Sequence, residues 1–126
     1  MSDNQGTDPS EVLSAEQQLL ADNAAIIDEM RSKHDEIAIF PAPKGFDGVI
    51  IVAAPAPKAL QNYVNGVANE KLDKAVETWN FALSSVVHPE RAIVRAMFAK
   101  KGMLPYKIAA RAQVLAGAEI EELGKD

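Results

Sequence analysis

The protein has 126 residues and a formal charge of -5 at pH 7, which fits one domain with a short appendage and excludes a large modular assembly. Hydrophobic residues make up 48% and charged residues 25% of the chain, so it has enough apolar side chains to close a core. Cysteine is absent, which excludes disulfide bonds, thiolate metal sites and a cysteine nucleophile, and the net charge has the wrong sign for a protein that binds nucleic acid or anionic lipid through its overall charge.

The first residues and the apolar runs of the chain predict its location. The first eleven residues carry acids and amides where a secretory signal needs a positive start and an apolar run. The longest apolar stretch, residues 49–57, contains two prolines and is far shorter than the roughly 20 residues that span a bilayer. We therefore expect a cytoplasmic protein that makes no contact with a membrane.

The charge is divided unevenly along the chain. Residues 1–36 hold nine acidic and two basic residues, a net charge of -7, whereas residues 37–126 have a net charge of +2. We therefore predict an acidic arm that precedes a slightly basic body. Six basic side chains and no acidic one occur between positions 91 and 118: Arg91, Arg95, Lys100, Lys101, Lys107 and Arg111.

The arm, residues 8–35, is predicted to be one amphipathic helix that follows a disordered N-terminus, residues 1–7. The helix can begin at Asp8-Pro9 or at the capping box Ser14–Gln17. It runs without glycine or proline to about His34, and its narrow stripe recurs at steps of four and three residues: Leu13, Gln17, Leu20, Ala24 and Ile27. Such a stripe either packs on the body or binds another protein chain, and the sequence leaves both interpretations open.

The body, residues 36–118, is predicted to be a mostly helical α+β domain in which a β-hairpin packs on a bundle of about four helices. The β-branched runs 36–40 and 49–52 are separated by two prolines and two glycines, which predicts the hairpin. An isolated hairpin is marginal in water, so helices must cover it. The acidic C-terminal tail, residues 119–126, is predicted to fray.

Four helices of the body are predicted from apolar periodicity and from the prolines and glycines at their ends. The first begins at Pro57, and the last two begin at His88-Pro89 and Leu104-Pro105. Trp79 lies within the longest stripe, which predicts a core anchor rather than a ligand platform. The predicted inward faces are Leu60, Tyr63, Val64 and Val67; Leu72, Val76, Trp79, Leu83 and Val86; Ile93, Val94, Met97 and Phe98; and Ile108, Ala112 and Leu115.

No group of side chains in the sequence predicts catalysis or metal binding. His34 and His88 lack a second ligand at the spacing of a metal pair. The acids Asp28-Glu29 and those of residues 119–122 are typical of solvated faces. The segment Gly45–Gly48 lacks the lysine and the serine or threonine of a phosphate loop and leads into a strand. We therefore expect a protein that is not an enzyme and has no cofactor or metal.

The two basic helices of residues 89–117 have the outline of a helix-turn-helix. Any helical hairpin has this outline, and among the side chains that read base edges best the last helix offers only Gln113. A small DNA-binding regulatory protein is therefore the alternative to the function that follows.

The ends of the elements in the body form a recognisable series. Ala54-Pro55-Ala56-Pro57 leads from the second strand to a helix that begins with Ala59 to Tyr63; Val86-Val87-His88-Pro89-Glu90 ends the long helix; Leu104-Pro105 and Leu115-Ala116-Gly117 bracket the last one. In this series, residues 36–126 resemble the tail assembly chaperones of long-tailed bacteriophages.

The resemblance implies a non-catalytic protein that binds and solubilises the tape measure protein during tail morphogenesis and brings the major tail tube protein to it. It implies a location in the host cytoplasm and absence from the mature virion. A homo-oligomer is compatible with this function, whereas contacts with nucleic acid or membrane are not expected. The candidate partner-binding residues are Leu13, Leu20 and Ile27 of the stripe and the basic residues Arg91, Arg95, Lys100, Lys101, Lys107 and Arg111.

Overall fold

The computed structural model describes residues 14–118 and 122–124. Over this part of the chain there are six α-helices and three β-strands: α1 (Ala15–Asp22), α2 (Ala24–Lys33), β1 (Ile37–Pro41), β2 (Val49–Ala53), α3 (Pro57–Ala68), α4 (Lys74–Ser85), β3 (Val86–His88), α5 (Arg91–Lys100) and α6 (Leu104–Gln113). A π-helical turn, Val114–Ala118, follows α6. The predictions for residues 1–7, for a helix start at Asp8-Pro9 and for most of the tail 119–126 lie outside the described residues.

The three strands form one antiparallel sheet in the order β1-β2-β3. β1 pairs with β2 from Ile37 opposite Ala53 to Pro41 opposite Val49, which confirms the predicted hairpin. The third strand was not predicted, because Val86 was assigned to the end of a helix. Val86 and Val87 are β-branched residues and lie beside the edge of β2 that β1 does not occupy. They therefore pair with β2 as a strand, although their spacing continues the helical pattern. The predicted class, a mostly helical α+β fold, is confirmed.

The sheet has helices on both of its faces. Ala38, Ile50 and Val52 point to one face and belong to the main core cluster, together with buried side chains of α4, α5 and α6. The alternate residues Val49 and Ile51 point to the other face, where α2 covers them. All five residues of β2 are therefore buried, as expected of a central strand covered on both sides.

The predicted single N-terminal helix is wrong, because it is broken at Asn23. The main chain of Asn23 has φ -114 and ψ 17, and its side-chain amide donates to the carbonyl oxygen of Leu19 at 2.8 Å. An asparagine that bonds a nearby carbonyl competes with the helix ladder, so α1 ends at Asp22 and α2 begins at Ala24. The capping box at the start of α1 is confirmed, since Ser14 and Gln17 exchange both of its hydrogen bonds.

The predicted inward face of α4 is partly wrong. Leu83 is buried as predicted, but Leu72 and Val76 are 44% and 50% exposed. The helix also buries four residues that were not predicted: Thr78, Phe81, Ala82 and Ser85. The ring of Phe81 stacks on Tyr63 of α3 with a centroid distance of 4.2 Å, which fixes the rotation of α4. Trp79 is half-buried and meets Phe98 edge-on at 5.2 Å, so it packs against the core as predicted.

The faces of α3 and α5 also differ in one residue each from the prediction. Val64 is 53% exposed and Ile93 is 39% exposed. The remaining inward residues of α5, Val94, Met97 and Phe98, are fully buried. The end signals of the last helix are confirmed, because α6 has proline in its first turn and Gly117 adopts φ 104 after it. Pro89 of the preceding helix lies before the N-cap Glu90 of α5, which begins at Arg91.

Candidate partner-binding surface

β1 is an edge strand, and among residues 14–118 and 122–124 no main-chain group pairs with its outer side. The amide of Ala42 donates to the carbonyl of Gly48 at 3.1 Å, so these two residues form a hydrogen-bonded pair. Hydrogen-bonded pairs alternate along an antiparallel ladder, and the register of β1 with β2 is continuous. The main-chain groups of Ile37, Ile39 and Pro41 therefore point away from β2. Pro41 has no N–H, so the outer edge offers the amides of Ile37 and Ile39 and three carbonyl oxygens.

A groove of about 470 Å³, here called the edge groove, runs along this outer side. All five residues of β1 line it, and since successive side chains of a strand alternate between faces, a site that touches all five lies along the edge. One wall of the groove is formed by α1 and α2, on one face of the sheet, through Glu16, Leu19, Leu20 and Arg31. The other wall is formed by Arg111 of α6, on the opposite face.

A second groove of about 540 Å³, here called the lysine groove, continues from the end of β1. Its floor is apolar and comes from residues 40–43 and from the turn between α5 and α6, including Met103, which is 67% exposed. Its rim carries Lys100, Lys101 and Lys107. Phe40 and Pro41 line both grooves, so the two form one continuous surface.

The charge of this surface is strongly one-sided. Among the residues that the structure describes, five cations and one acid, Glu16, line the two grooves. Within the described part of the chain, no carboxylate lies within ion-pair distance of the three lysines. The ion pair that this part of the chain contains joins Lys33 and Glu29, which both lie on α2. The amine of Lys100 lies 3.0 Å from the position of a Cβ on Gly45, so this lysine lies over the turn between β1 and β2. The surface therefore combines apolar lining with three lysines that pair with no carboxylate of the described residues.

The structure divides the predicted residues of the N-terminal stripe. Leu20 is 37% exposed and lines the edge groove. Ile27 is 3% exposed, packs in the cluster between α2 and the sheet and lines neither groove. Its assignment as a partner contact stays a prediction. Leu13 lies outside the described residues. The predicted stripe therefore does not form one continuous apolar face, because the break at Asn23 separates its two halves.

The six predicted basic residues are all exposed, but only four of them come together. Lys100, Lys101 and Lys107 line the lysine groove, and Arg111 lines the edge groove. Arg91 and Arg95 line neither groove. Gln113, the one side chain of the last helix suited to reading base edges, donates its side-chain amide to the carbonyl oxygen of Ala109 within α6. DNA binding stays a prediction.

The β1 side of the surface was not predicted from the sequence. Phe40, Pro41 and Pro43 were interpreted only as the end of a strand and the start of a loop, and Arg31 only as part of the arm. A proline at the end of an apolar run was the one available signal, because proline is confined to the edges of sheets.

The other clefts of the described residues carry little chemistry. The space between α3 and α4 measures about 190 Å³ and is lined partly by Tyr63, Phe81 and Glu77. His34 lies at the end of α2 beside Asp35 and Glu36, and His88 lies in β3 opposite Ile51. Residues 14–118 and 122–124 contain no group of three side chains that could hold a metal ion, and their helices are too short or too polar to cross a membrane.

Comparison with known proteins shows the fold but no family. No protein-family model matches the chain, and no curated protein matches it. A solved structure, that of the uncharacterised protein rbstp2171 from Bacillus stearothermophilus, is similar with a TM-score of 0.58 and 16% sequence identity. The match covers 79% of this chain and 99% of that one, so the similarity extends over most of the fold described above.

Proposed function

We propose that the protein is a non-catalytic tail assembly chaperone of a long-tailed phage. It binds the tape measure protein in the host cytoplasm, keeps it soluble and brings the major tail tube protein to it. The proposal starts from the resemblance of residues 36–126 to that family, which is carried by the ends of the elements.

The observation that supports the proposal is the continuous surface formed by the edge groove and the lysine groove. A chaperone needs exposed apolar surface that another chain can cover, and this surface offers two adjoining grooves of about 470 and 540 Å³. Its rim of cations restricts what can enter, because like charges across an interface are costly. The acidic surplus of the whole chain, -5, favours solubility of a protein with such a surface.

The test is co-expression with the long helical protein encoded immediately downstream in the same genome, which is where a tape measure protein is expected. We expect the long protein to be insoluble alone and to remain in the soluble fraction as a complex when both are made. A second co-expression, with the product of the gene just upstream, tests binding of the tail tube protein. The proposal is wrong if the long protein stays insoluble, or is soluble but does not co-purify with this chain.

A further inference from the structure

From the outer edge of β1 we propose that the protein holds its client by strand addition. An extended client segment with apolar and acidic side chains pairs with Ile37–Pro41 in the edge groove and continues across the lysine groove. The proposal rests on the proposed function in one respect, since the client is taken to be the tape measure protein.

The main chain of β1 supports strand addition. The amides and carbonyls of Ile37 and Ile39 point away from β2, and no main-chain group of the described residues bonds them. Such a row of open main-chain groups is a template for another strand. Proteins blunt such edges with charged side chains, bulges or prolines. β1 reads Ile-Ala-Ile-Phe-Pro, has no charge and pairs with β2 in continuous register, so only its last residue carries a protective feature.

The lining of the two grooves determines the chemistry of the added segment. The edge groove is bounded by Leu19 and Leu20 on one side of β1, which suits apolar side chains on the segment. The lysine groove places three cations at the Pro41 end, which suits carboxylates. Five residues of β1 span about 17 Å at the usual strand rise, so the segment has about five to eight residues.

The main-chain part of the proposal is tested by a matched pair of substitutions at one position. Ile39→Pro removes the outward amide but leaves the hydrogen bonds to β2, which involve the alternate residues, and Ile39→Ala removes the same side chain but keeps the amide. The probe is a fluorescent decapeptide of alternating valine and glutamate, measured by polarisation. We expect Ile39→Pro to weaken binding about tenfold or more relative to Ile39→Ala, because a main-chain hydrogen bond is lost and the ring obstructs pairing. Thermal melting of both variants confirms that they are folded.

The charge part is tested by reversing the rim. Lys100→Glu, Lys101→Glu and Lys107→Glu together are expected to weaken peptide binding about tenfold or more at low ionic strength, and salt should reduce binding by the wild type. The control carries the same change of net charge on exposed lysines that line neither groove, Lys58→Glu, Lys71→Glu and Lys74→Glu, and is expected to bind within about twofold of wild type.

Several outcomes overturn the proposal. Equal binding by Ile39→Pro and Ile39→Ala excludes strand addition. A peptide-free dimer that Ile39→Pro dissociates shows that the occupant is a second copy. Tighter peptide binding after Asp3→Asn, Asp8→Asn and Glu11→Gln in the full chain shows that its own N-terminal segment is the occupant.

The same variants separate this proposal from the proposed function. If the tape measure protein is solubilised equally well by wild type and by Ile39→Pro, the function stands and strand addition is wrong. If the peptide binds as expected but the tape measure protein is not solubilised, strand addition stands and the assignment of the client is wrong.

Discussion

Gly48 lies where the turn between β1 and β2 approaches the junction of α1 and α2. It adopts φ 85, and a Cβ built on it would lie 3.3 Å from Oδ1 of Asn23. Both the backbone conformation and the close approach therefore favour glycine. At Gly48 the turn of the hairpin therefore packs closely against Asn23, where the N-terminal helix is broken.

We predict that Gly48→Ala lowers the free energy of unfolding by about 1–2 kcal/mol, because a side chain is strained at positive φ. Gly102→Ala is the matched control: its φ is not in the left-handed region and a Cβ there meets no atom within 4 Å, so its effect should stay within about 0.5 kcal/mol. Urea denaturation of both variants measures the difference. Equal stabilities would show that the turn relaxes without cost.

At the scale of elements, the described helices and strands of the body were predictable where their ends are set by local residues. Pro57, Pro105 and Gly117 act through their own backbone preferences, and these ends are where the sequence placed them. β3 and the rotation of α4 were not predictable. They depend on an open edge of β2 and on the stacking of Tyr63 with Phe81, which are contacts between distant parts of the chain.

The candidate surface was predictable to a smaller degree. The run of basic residues around Lys100 and Lys107 was evident, because charge is read directly from the sequence. The edge groove was not, since it requires knowing that β1 lies at the edge of the sheet and that α1 and α6 lie on opposite faces. The groove exists because helices on the two faces of the sheet extend past the edge of β1, and the sequence of no single segment shows how these helices are placed.

The helix α2 decides between the two interpretations of the N-terminal arm. Ile27 and Met30 are buried against Val49 and Ile51, so α2 packs on the sheet. We predict that Ile27→Ala lowers the free energy of unfolding by about 2–5 kcal/mol, the usual cost of emptying a buried site. Leu20→Ala on α1 removes a similar volume from an exposed position and should cost less than about 1 kcal/mol. Both are measured by urea denaturation, and a negligible effect of Ile27→Ala would mean that the arm contributes nothing to the stability of the body.

At the scale of the whole molecule, burial is graded from β2 outwards to α1. Ile50, Ile51 and Val52 are fully buried and β2 is paired on both sides, whereas α1 buries none of its residues. Regions with few buried contacts open independently of global unfolding. Because Leu19 and Leu20 of α1 form one wall of the edge groove, opening of α1 would widen access to β1 without unfolding the sheet.

Amide hydrogen exchange tests this gradation across the chain. We predict that the amides of β2 exchange only through global unfolding and that those of α2 from Ile27 to Met30 approach the same protection, since both belong to one buried cluster. The amides of α1 should exchange faster, and the amide of Ile39 faster than that of Phe40, because only the latter is bonded to β2. If α2 instead exchanged as fast as α1, residues 15–33 would behave as an arm separate from the body. Slow exchange at Ile39 in the protein alone would mean that the edge of β1 is already covered, and strand addition by a client would then require displacement of that cover.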